Sequence, residues 1–167
     1  VPKNKFIKLI MRVLIVGNGG RESALAWKLK SDSRISKMYF AKGNATTDLL
    51  GQNVYENDIV ELRNLAIREK IDLTIVGPEA PLVEGLVDDF RQHGLKVFGP
   101  KKRAAELEGS KAFSKRFMQT HGIKTAKAVT FDAYKEATEY VKTQAFPLVI
   151  KASGLAGGKG VVICENL

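Results

Sequence analysis

The sequence predicts an α/β protein that begins with a doubly wound parallel sheet. Between residues 11 and 100, short apolar runs rich in β-branched residues alternate with longer stretches of helical periodicity, a pattern typical of β-α-β units. The first apolar run leads through a glycine turn into a helix, which is the geometry that binds phosphate at the head of a helix. A second glycine-rich segment, near the carboxyl end, lies between two apolar runs and indicates a strand, a loop and a second strand.

The pattern divides the chain into an extension and two domains. Residues 1–10 precede Met11, carry no small-residue cleavage site and have too short an apolar core for a signal peptide. We therefore expect them to form a poorly ordered extension. The alternating strands and helices fill residues 11–100, the first domain. Gly99-Pro100 marks a boundary, because glycine and proline interrupt regular structure, and a second domain is expected over residues 101–167.

Composition and charge limit the classes of function. The chain has 27 Lys and Arg against 18 Asp and Glu, a net charge of +9, which attracts anions such as phosphorylated small molecules. The basic residues are scattered and no aromatic residues are interleaved with them, so we expect no nucleic-acid partner, although a basic nucleic-acid binder stays as an alternative. No run of about 18 apolar residues occurs, so no membrane association is expected. A single cysteine, Cys164, favours a reducing compartment, and the cytoplasm is the expected location.

The first strand, turn and helix are predicted over consecutive segments. Arg12–Val16 is an apolar run typical of a buried strand, Gly17–Glu22 is the turn, and Ser23–Lys30 has a broad apolar face that predicts a helix. Trp27 lies within that helix and is expected to belong to the core. A small anion such as a ribose phosphate is the ligand that we expect at this turn.

The same turn leaves a dinucleotide-binding module of an oxidoreductase as an alternative. The fingerprint of that class is G-x-G-x-x-G, and Glu22 stands where the third glycine belongs. The second predicted strand, Lys37–Ala41, ends at Lys42 without the acidic residue that binds the ribose of NAD. Both departures weaken the dinucleotide hypothesis, although Lys42 is compatible with the 2′-phosphate of NADP.

In the rest of the first domain, predicted strands and helices continue to alternate, and one strand is followed by a carboxylate residue, Glu79. Glu79 lies between two prolines just after a predicted buried strand, at the sheet edge where open α/β proteins bind ligands. It is equally typical of a loop acid near a helix start, where the helix dipole favours a negative charge. The predicted elements are a helix over Ile59–Lys70, a strand over Asp72–Val76, a helix over Leu82–His93 and a strand over Lys96–Phe98.

The second domain is predicted to contain helices before its glycine loop. Lys111 lies in the first turn of one of them, where the helix dipole disfavours a cation; it serves either an anionic ligand or simply the solvated surface. The predicted elements are a helix over Lys101–Leu107, a helix over Lys111–His121 capped by Ser110, a strand over Thr125–Phe131 and a helix capped by Asp132 that runs to Gln144.

The glycine-rich segment Pro147–Ile163 is predicted to be a phosphate-binding hairpin. Its glycines let backbone N–H groups approach an anion, and two lysines add charge. It is not a P-loop, because Ser153 and Gly160 stand where that motif has its first glycine and its final Ser or Thr. A hairpin loop of this kind can lie over a nucleotide as a flap, and a glycine-rich turn with solvated lysines is the alternative.

Six segments together resemble the amino-terminal part of the glycinamide ribonucleotide synthetase family of ATP-grasp enzymes. The resemblance covers residues 11–167, and six motifs in register are very specific. It implies that the first domain is the Rossmann-like pre-ATP-grasp domain and the second an incomplete start of the ATP-grasp domain. The matching segments are Gly17–Glu22, Gly43–Ala45, Val76–Val83, Phe98–Pro100, Leu107–Phe113 and Pro147–Val161.

The resemblance implies an ATP-dependent ligase of de novo purine biosynthesis. Glycine is joined to 5-phosphoribosylamine through glycyl phosphate, and the products are glycinamide ribonucleotide, ADP and phosphate; ATP and Mg²⁺ (or Mn²⁺) are the implied cofactors. By position, the residues expected to bind ATP are Lys111, Lys151, Ser153, Gly154, Gly157, Gly158, Lys159 and Gly160. The residues expected on the phosphoribosylamine side are Gly17, Asn18, Gly19, Gly20, Arg21, Glu22, Asn44, Gly77, Pro78 and Glu79.

The chain also departs from the family pattern. Members of the family are much longer, and the resemblance places their Mg²⁺-binding acids beyond residue 167, so no catalytic residue or metal ligand is assigned here. We therefore expect the chain to be inactive without the carboxyl-terminal part of the same protein. Lys42 stands where proline is frequent, Ser153 where aspartate is common and Ser23 where histidine is common, which puts any role of an imidazole at that turn in doubt.

Overall fold

The structure is a computed structural model that describes residues 10–167. The extension predicted over residues 1–10 lies outside the described residues, apart from Ile10. Two compact units make up the described part of the chain: the first ends at Ala105, and the second is Glu106–Leu167. Within the described part of the chain, no helix has both the length and the apolar character needed to cross a membrane.

The first unit is built on a five-stranded parallel sheet with the order β3-β2-β1-β4-β5. Its strands are β1 (Met11–Gly17), β2 (Ile35–Lys42), β3 (Gln52–Val54), β4 (Leu73–Val76) and β5 (Val97–Phe98). The predicted doubly wound parallel sheet is confirmed. The strand order reverses between β1 and β4, so the carboxyl ends of these two strands border the crevice where such sheets bind ligands.

Five helices connect these strands, and one prediction about them is wrong. The helix predicted over Leu82–His93 is two helices, because Gly85 adopts the left-handed conformation (φ +106°) between them and a residue in that conformation ends a helix. The sequence patterns also did not predict α2 or β3, both of which are short. The helices are α1 (Gly20–Lys30), α2 (Ala45–Asp48), α3 (Ile59–Arg68), α4 (Glu79–Glu84) and α5 (Leu86–Gln92).

The sheet is covered on both faces. Alternate residues of a strand point to opposite faces, and on β1 Leu14 and Val16 belong to one buried cluster whereas Val13 and Ile15 belong to the other. The prediction that Trp27 is a core residue is wrong, because its side chain is 72% exposed. Helix α1 buries only a narrow face, through Ala26 and its flanking leucines, and Trp27 lies outside that face.

The second unit consists of helices and one antiparallel strand pair. Helix α6 (Lys102–Gly109) crosses the division between the units, and the further elements are α7 (Lys111–Thr120), α8 (Tyr134–Lys142), β6 (Leu148–Lys151) and β7 (Val161–Cys164). No residue from Glu106 to Leu167 is buried. This unit therefore has helices and strands but no enclosed core.

Two predictions for this unit are wrong. The strand predicted over Thr125–Phe131 does not form, because no strand among residues 10–167 lies beside this segment to pair with its backbone. Asp132 does not cap the next helix; α8 begins at Tyr134, and its N-cap residue is Ala133, whose side chain makes no capping hydrogen bond. The cap that was predicted at Ser110 is confirmed, because its hydroxyl accepts a hydrogen bond from the N–H of Phe113.

Candidate functional site

The turn between β1 and α1 is built around the side chain of Glu22. This carboxylate is only 4% exposed, and Oε2 accepts a hydrogen bond of 2.6 Å from the backbone N–H of Gly19. A buried carboxylate requires such partners. The residue that departs from the dinucleotide fingerprint therefore lies beneath the turn, where it takes up one of the N–H groups that a bound phosphate would need.

The position of the Glu22 side chain also accounts for the need for glycine at two positions of this sheet edge, 17 and 77. A Cβ atom on Gly17 would lie 2.7 Å from Cδ of Glu22, and a Cβ on Gly77 would collide with its Oε1. Real Cβ atoms do not approach other atoms so closely. Both loops consequently need glycine because they close over the same carboxylate.

The loop after β4 is held against the turn after β1. The N–H of Gly77 donates to the carbonyl of Val16 at 3.1 Å, and the Arg21 guanidinium donates to the carbonyl of Gly77. Arg21, Glu22 and Gly77 thus form one connected structure at the point where the strand order reverses. The residues predicted for the phosphoribosylamine side are brought together here, although several of them form hydrogen bonds with one another that hold the two loops in place.

Asn44 joins a third segment to this turn. Its side-chain oxygen accepts hydrogen bonds from the N–H groups of Thr46 and Thr47, at 2.9 and 3.1 Å, and so caps α2. Its amide nitrogen donates to the carbonyl of Asn18 and to Oγ of Ser23, both at 3.0 Å. Because both ends of this side chain have protein partners, Asn44 positions the turn from behind.

The sequence reasoning missed the polar cluster behind Asn44. Thr47, which is completely buried, accepts from the N–H of Asn44 at 2.7 Å and donates to Oδ1 of Asn53 at 2.8 Å. Asn53 in turn donates to the carbonyl of Asn44 at 3.0 Å. The signal was present in the sequence: an asparagine followed three residues later by a threonine that bonds back is a capping-box arrangement.

Several polar groups at this edge remain available to a ligand. Glu79, at the first position of α4, is half-buried, and no other residue in 10–167 forms a hydrogen bond or ion pair with its carboxylate. The N–H groups of Gly20 and Arg21 begin α1 and have no acceptor within the helix. Donors at the positive end of a helix dipole, at the same sheet edge as a free carboxylate, suit a ligand that carries both an anionic and a cationic or polar group.

In the second unit the predicted hairpin is present. Strands β6 and β7 pair with Lys151 opposite Val161, and the loop between them is closed by a 2.9 Å hydrogen bond from Ala152 N to Gly160 O. Gly154, Gly157 and Gly158 all have positive φ, and a Cβ atom on any of them would meet nothing within 4 Å. These glycines are therefore needed for the backbone conformation of an exposed loop and not for packing.

The start of α7 contacts this loop. Nζ of Lys111 donates to the carbonyl of Gly154 at 2.8 Å, and the N–H of Ala112 donates to Oγ of Ser153 at 3.2 Å. The structure thus brings together Lys111, Ser153 and Gly154 of the predicted ATP-binding set. Lys151 and Lys159 are exposed, and the ammonium group of neither has a hydrogen-bond or ion-pair partner within residues 10–167, so both ammonium groups are open to an anion.

One charge network of the first unit lies at the end of β1 that is opposite its glycine turn. At the amino end of β1, Arg12 donates to Oε2 of Glu69 at 3.1 Å and to the hydroxyl of Tyr39 at 2.6 Å, and that hydroxyl donates to Glu69 at 2.5 Å. The pKa of Glu69 is lowered, chiefly by the hydrogen bond from Tyr39; desolvation opposes this effect, and the charge of Arg12 lowers the pKa further. This network supports the fold and is no part of the candidate site.

Comparisons with known proteins match both units. The family model for the phosphoribosylglycinamide synthetase N domain matches residues 11–108, and that for the ATP-grasp (A) domain of the same synthetase matches residues 109–167. The phosphoribosylamine–glycine ligase of Escherichia coli (strain K12) is 52% identical over 161 residues, 94% of this chain and 38% of that protein. The ligase of Clostridium acetobutylicum is 49% identical over 158 residues, 93% and 38% of the two chains.

Solved structures agree with these matches. The phosphoribosylamine–glycine ligase of Thermotoga maritima superposes with a TM-score of 0.72 at 35% identity, over 93% of this chain and 36% of that one. The biotin carboxylase domain of a Hydrogenobacter thermophilus 2-oxoglutarate carboxylase has a TM-score of 0.71 at 21% identity, over 95% and 38% of the two chains, and this likeness concerns the fold alone. The chain spans about 38% of the length of the curated relatives that it matches.

Proposed function

The chain belongs to the phosphoribosylglycinamide synthetase family, and on that premise we propose that its residues serve a ligase that joins glycine to 5-phosphoribosylamine in purine biosynthesis. The observation that carries the proposal is the contact between Lys111 and Gly154. It places a cation at the start of an exposed glycine loop, in the unit that matches the ATP-grasp domain. A cytoplasmic location remains a prediction from the single cysteine.

The proposed reaction activates a carboxylate and then transfers its acyl group. The γ-phosphoryl group of ATP passes to a carboxylate oxygen of glycine, and ADP leaves. The amine of 5-phosphoribosylamine then attacks the carbonyl carbon, the bond to the phosphate oxygen breaks, and inorganic phosphate leaves while the nitrogen loses a proton. A carboxylate does not acylate an amine without such a leaving group, so positioning and neutralisation of phosphate charge are the main tasks of the protein.

In the second unit, the lysines and the glycine loop would hold the phosphates of ATP. Lys111, Lys151 and Lys159 supply three positive charges around a loop whose exposed backbone can approach phosphate oxygens closely. Backbone N–H groups give direction to the contact, and ammonium groups act as point charges. We therefore assign ATP phosphate binding to residues 151–160 together with Lys111.

In the first unit, the free groups at the sheet edge would hold 5-phosphoribosylamine. The N–H groups of Gly20 and Arg21 at the head of α1 suit its phosphate, and the free carboxylate of Glu79 suits its amine or hydroxyl groups. Glu22 and Asn44 have protein partners, so we assign them the role of positioning the turn. The glycines at positions 17, 19 and 77 let the two loops close together.

Divalent metal belongs to the chemistry of ATP-dependent ligases, because Mg²⁺ or Mn²⁺ neutralises the charge on the β- and γ-phosphates. Within residues 10–167, no group of three or more His, Cys, Asp or Glu side chains is arranged to hold a metal ion. The donor set present here does not form a metal site by itself. No step of the proposal is therefore assigned to metal ligands of this chain.

The buried position of Glu22 disfavours the alternative, a dinucleotide-binding module. In that class a glycine at this third position lets the helix pack closely against the strand, and the pyrophosphate lies at the helix N-terminus. Here a carboxylate takes up the N–H of Gly19 and adds a negative charge beneath the turn. Calorimetric titration with NAD and with NADP tests the alternative, since saturable binding of either would revive it.

A chimeric enzyme tests the ligase proposal. Residues 11–167 of this chain would replace the matching segment of the Escherichia coli relative, and ADP formation would be measured with glycine and 5-phosphoribosylamine supplied together and separately. We expect ADP formation that depends on both substrates. A folded chimera that forms no ADP under these conditions would contradict the proposal.

A matched pair of variants in the chimera then tests the assignment of Glu79. Glu79→Gln removes the free carboxylate at the start of α4, whereas Glu84→Gln removes an exposed carboxylate at the end of the same helix. We expect the first to raise KM for 5-phosphoribosylamine by about tenfold, as loss of a charged hydrogen bond implies, and the second to leave it unchanged. Equal KM values would remove Glu79 from the site.

A further inference from the structure

Two serine hydroxyls cap the same helix, α7, from different parts of the chain. Ser110 immediately precedes the helix, and its Oγ accepts from the N–H of Phe113 at 3.2 Å. Ser153 lies 41 residues away from its partner in the sequence, at the start of the glycine loop, and its Oγ accepts from the N–H of Ala112 at 3.2 Å. The first bond is local to the helix, whereas the second joins the helix to the loop.

A second bond lies directly beside the Ser153 contact. Nζ of Lys111 donates to the carbonyl of Gly154 at 2.8 Å, so two successive residues of α7 bind two successive residues of the loop. Two adjacent bonds fix both the position and the orientation of the loop where it leaves β6. We call this pair of contacts, Ala112–Ser153 and Lys111–Gly154, the loop clamp.

The clamp leaves Lys111 able to bind a ligand. An ammonium group has three N–H donors, and the carbonyl of Gly154 takes one of them, so two remain for phosphate oxygens. A phosphate bound to Lys111 therefore lies beside the loop that would close over it. Without the Ser153 bond, one of the two contacts that orient the loop on the helix is lost, and the loop must be ordered at the moment of binding.

We propose that Ser153 is a positioning residue for nucleotide phosphates: through the loop clamp it holds Gly154 against Lys111 and so preorganises the loop. The proposal rests on the proposed function, in which this loop binds ATP. Preorganisation raises affinity because less conformational freedom is lost on binding. Ser153 acts through the loop backbone, and no contact between its own side chain and ATP is needed.

The test compares Ser153→Ala with Ser110→Ala in the 167-residue chain. Both variants remove one hydroxyl cap from α7, but only the first removes a bond to the loop. Hydrogen exchange of the loop amides is measured without nucleotide, and the affinities for ATP and for adenosine are measured by calorimetry. Because Ser153 is exposed, its replacement by alanine creates no cavity, and Ser153→Thr, which keeps the hydroxyl, serves as the rescue variant.

We expect Ser153→Ala to speed exchange at residues 154–160 and to weaken ATP binding, each by roughly threefold, as loss of one exposed hydrogen bond implies. Adenosine affinity should not change, because adenosine has no phosphate. Ser110→Ala and Ser153→Thr should exchange and bind like the unmodified chain. A role limited to capping α7 would instead make the two alanine variants equal in every measurement, and that result overturns the proposal.

The hydrogen-exchange measurement distinguishes failure of this inference from failure of the proposed function. If Ser153→Ala leaves loop exchange unchanged, the clamp does not hold the loop, and the inference is overturned whatever the titration shows. If exchange rises but the unmodified chain binds no ATP, the clamp is real and its phosphate role is overturned, whereas the proposed function is decided separately by ADP formation in the chimera. If ATP binds and only Ser153→Ala weakens it, both proposals are supported.

Discussion

The two units of the chain bury their apolar residues to very different extents. In the first unit the central strand β1 is enclosed on both faces, and Leu14 and Ile15 are completely buried. In the second unit the strands β6 and β7 are just as apolar, yet Val149, Val162 and Ile163 are 54%, 59% and 67% exposed. The same kind of residue, in the same kind of secondary structure, therefore contributes to stability in one unit and contributes little in the other.

The difference follows from the number of strands and from what covers them. A five-stranded parallel sheet with helices on both faces encloses a core, whereas an isolated strand pair is marginally stable in water. The first unit accordingly provides a fixed sheet edge on which polar groups are held by buried partners such as Glu22 and Thr47. The loop of the second unit is held by a few exposed or part-buried hydrogen bonds, which suits a segment that closes over a ligand.

The largest expected effect is a contrast between two identical substitutions in strands. Ile15→Ala removes a completely buried side chain from β1, and Ile163→Ala shortens a side chain on β7 that is 67% exposed. We expect the first to lower the free energy of unfolding by about 2–5 kcal/mol and the second to change it by less than about 0.5 kcal/mol. Chemical denaturation measures both values. Similar losses for the two variants would show that the second unit encloses a core after all.

A smaller effect is expected where Glu22 meets Gly77. Gly77→Ala places a Cβ against the Glu22 carboxylate, which should cost about 1–3 kcal/mol, as overpacking does. The cost should fall in a Glu22→Ala background, because the colliding atoms are gone, and the double-mutant cycle gives the coupling energy. Gly20→Ala is the control, since its Cβ would meet nothing within 4 Å. An equal cost of Gly77→Ala in both backgrounds would refute the role of Glu22 at this edge.

The smallest expected effect concerns the stability of the first unit at acid pH, where protonation of Glu69 should destabilise the fold. The pKa of Glu69 is lowered from 4.5, chiefly by the hydrogen bond from Tyr39. A lowered folded-state pKa means that the unfolded chain takes up protons first, so the stabilisation is present above about pH 4.5 and is lost as the pH falls through the folded-state value. Thermal unfolding of Glu69→Gln should therefore depend less steeply on pH below 4.5 than that of the unmodified chain. The same pH dependence of thermal unfolding in the two proteins would contradict a stabilising role of the Glu69 carboxylate.

The sequence predicted those elements whose formation depends on local pattern and burial. The strands of the central sheet were recognisable because fully buried parallel strands are continuous runs of residues such as Val13–Val16. The segment 125–131 was also predicted to be a strand, but no strand within residues 10–167 lies beside it, and pairing is a property of the fold and not of the segment. Gly85 was not recognised as a break, because a glycine within a helical pattern does not by itself show that it adopts the left-handed conformation found here.

The candidate site was predictable as a set of residues but not as a set of roles. Glycine patterns and the resemblance to a family identified the turn, Lys111 and the hairpin loop. They could not show that the Glu22 carboxylate is buried beneath the turn or that both ends of the Asn44 side chain have partners. They also could not show that Ser153 caps a helix 41 residues away. Each of these roles depends on tertiary contacts between segments that are distant in the sequence.

Calorimetric titration of ATP into the chain, with and without Lys111→Met, tests most directly whether the second unit binds nucleotide phosphates. Lys135→Met is the control, since Lys135 is an exposed lysine on α8 whose ammonium group has no hydrogen-bond or ion-pair partner in residues 10–167. We expect the unmodified chain and the control to bind ATP equally and Lys111→Met to bind it at least about tenfold more weakly, as loss of a charged contact implies. Equal affinity in all three proteins, or no binding by the unmodified chain, would contradict the assignment.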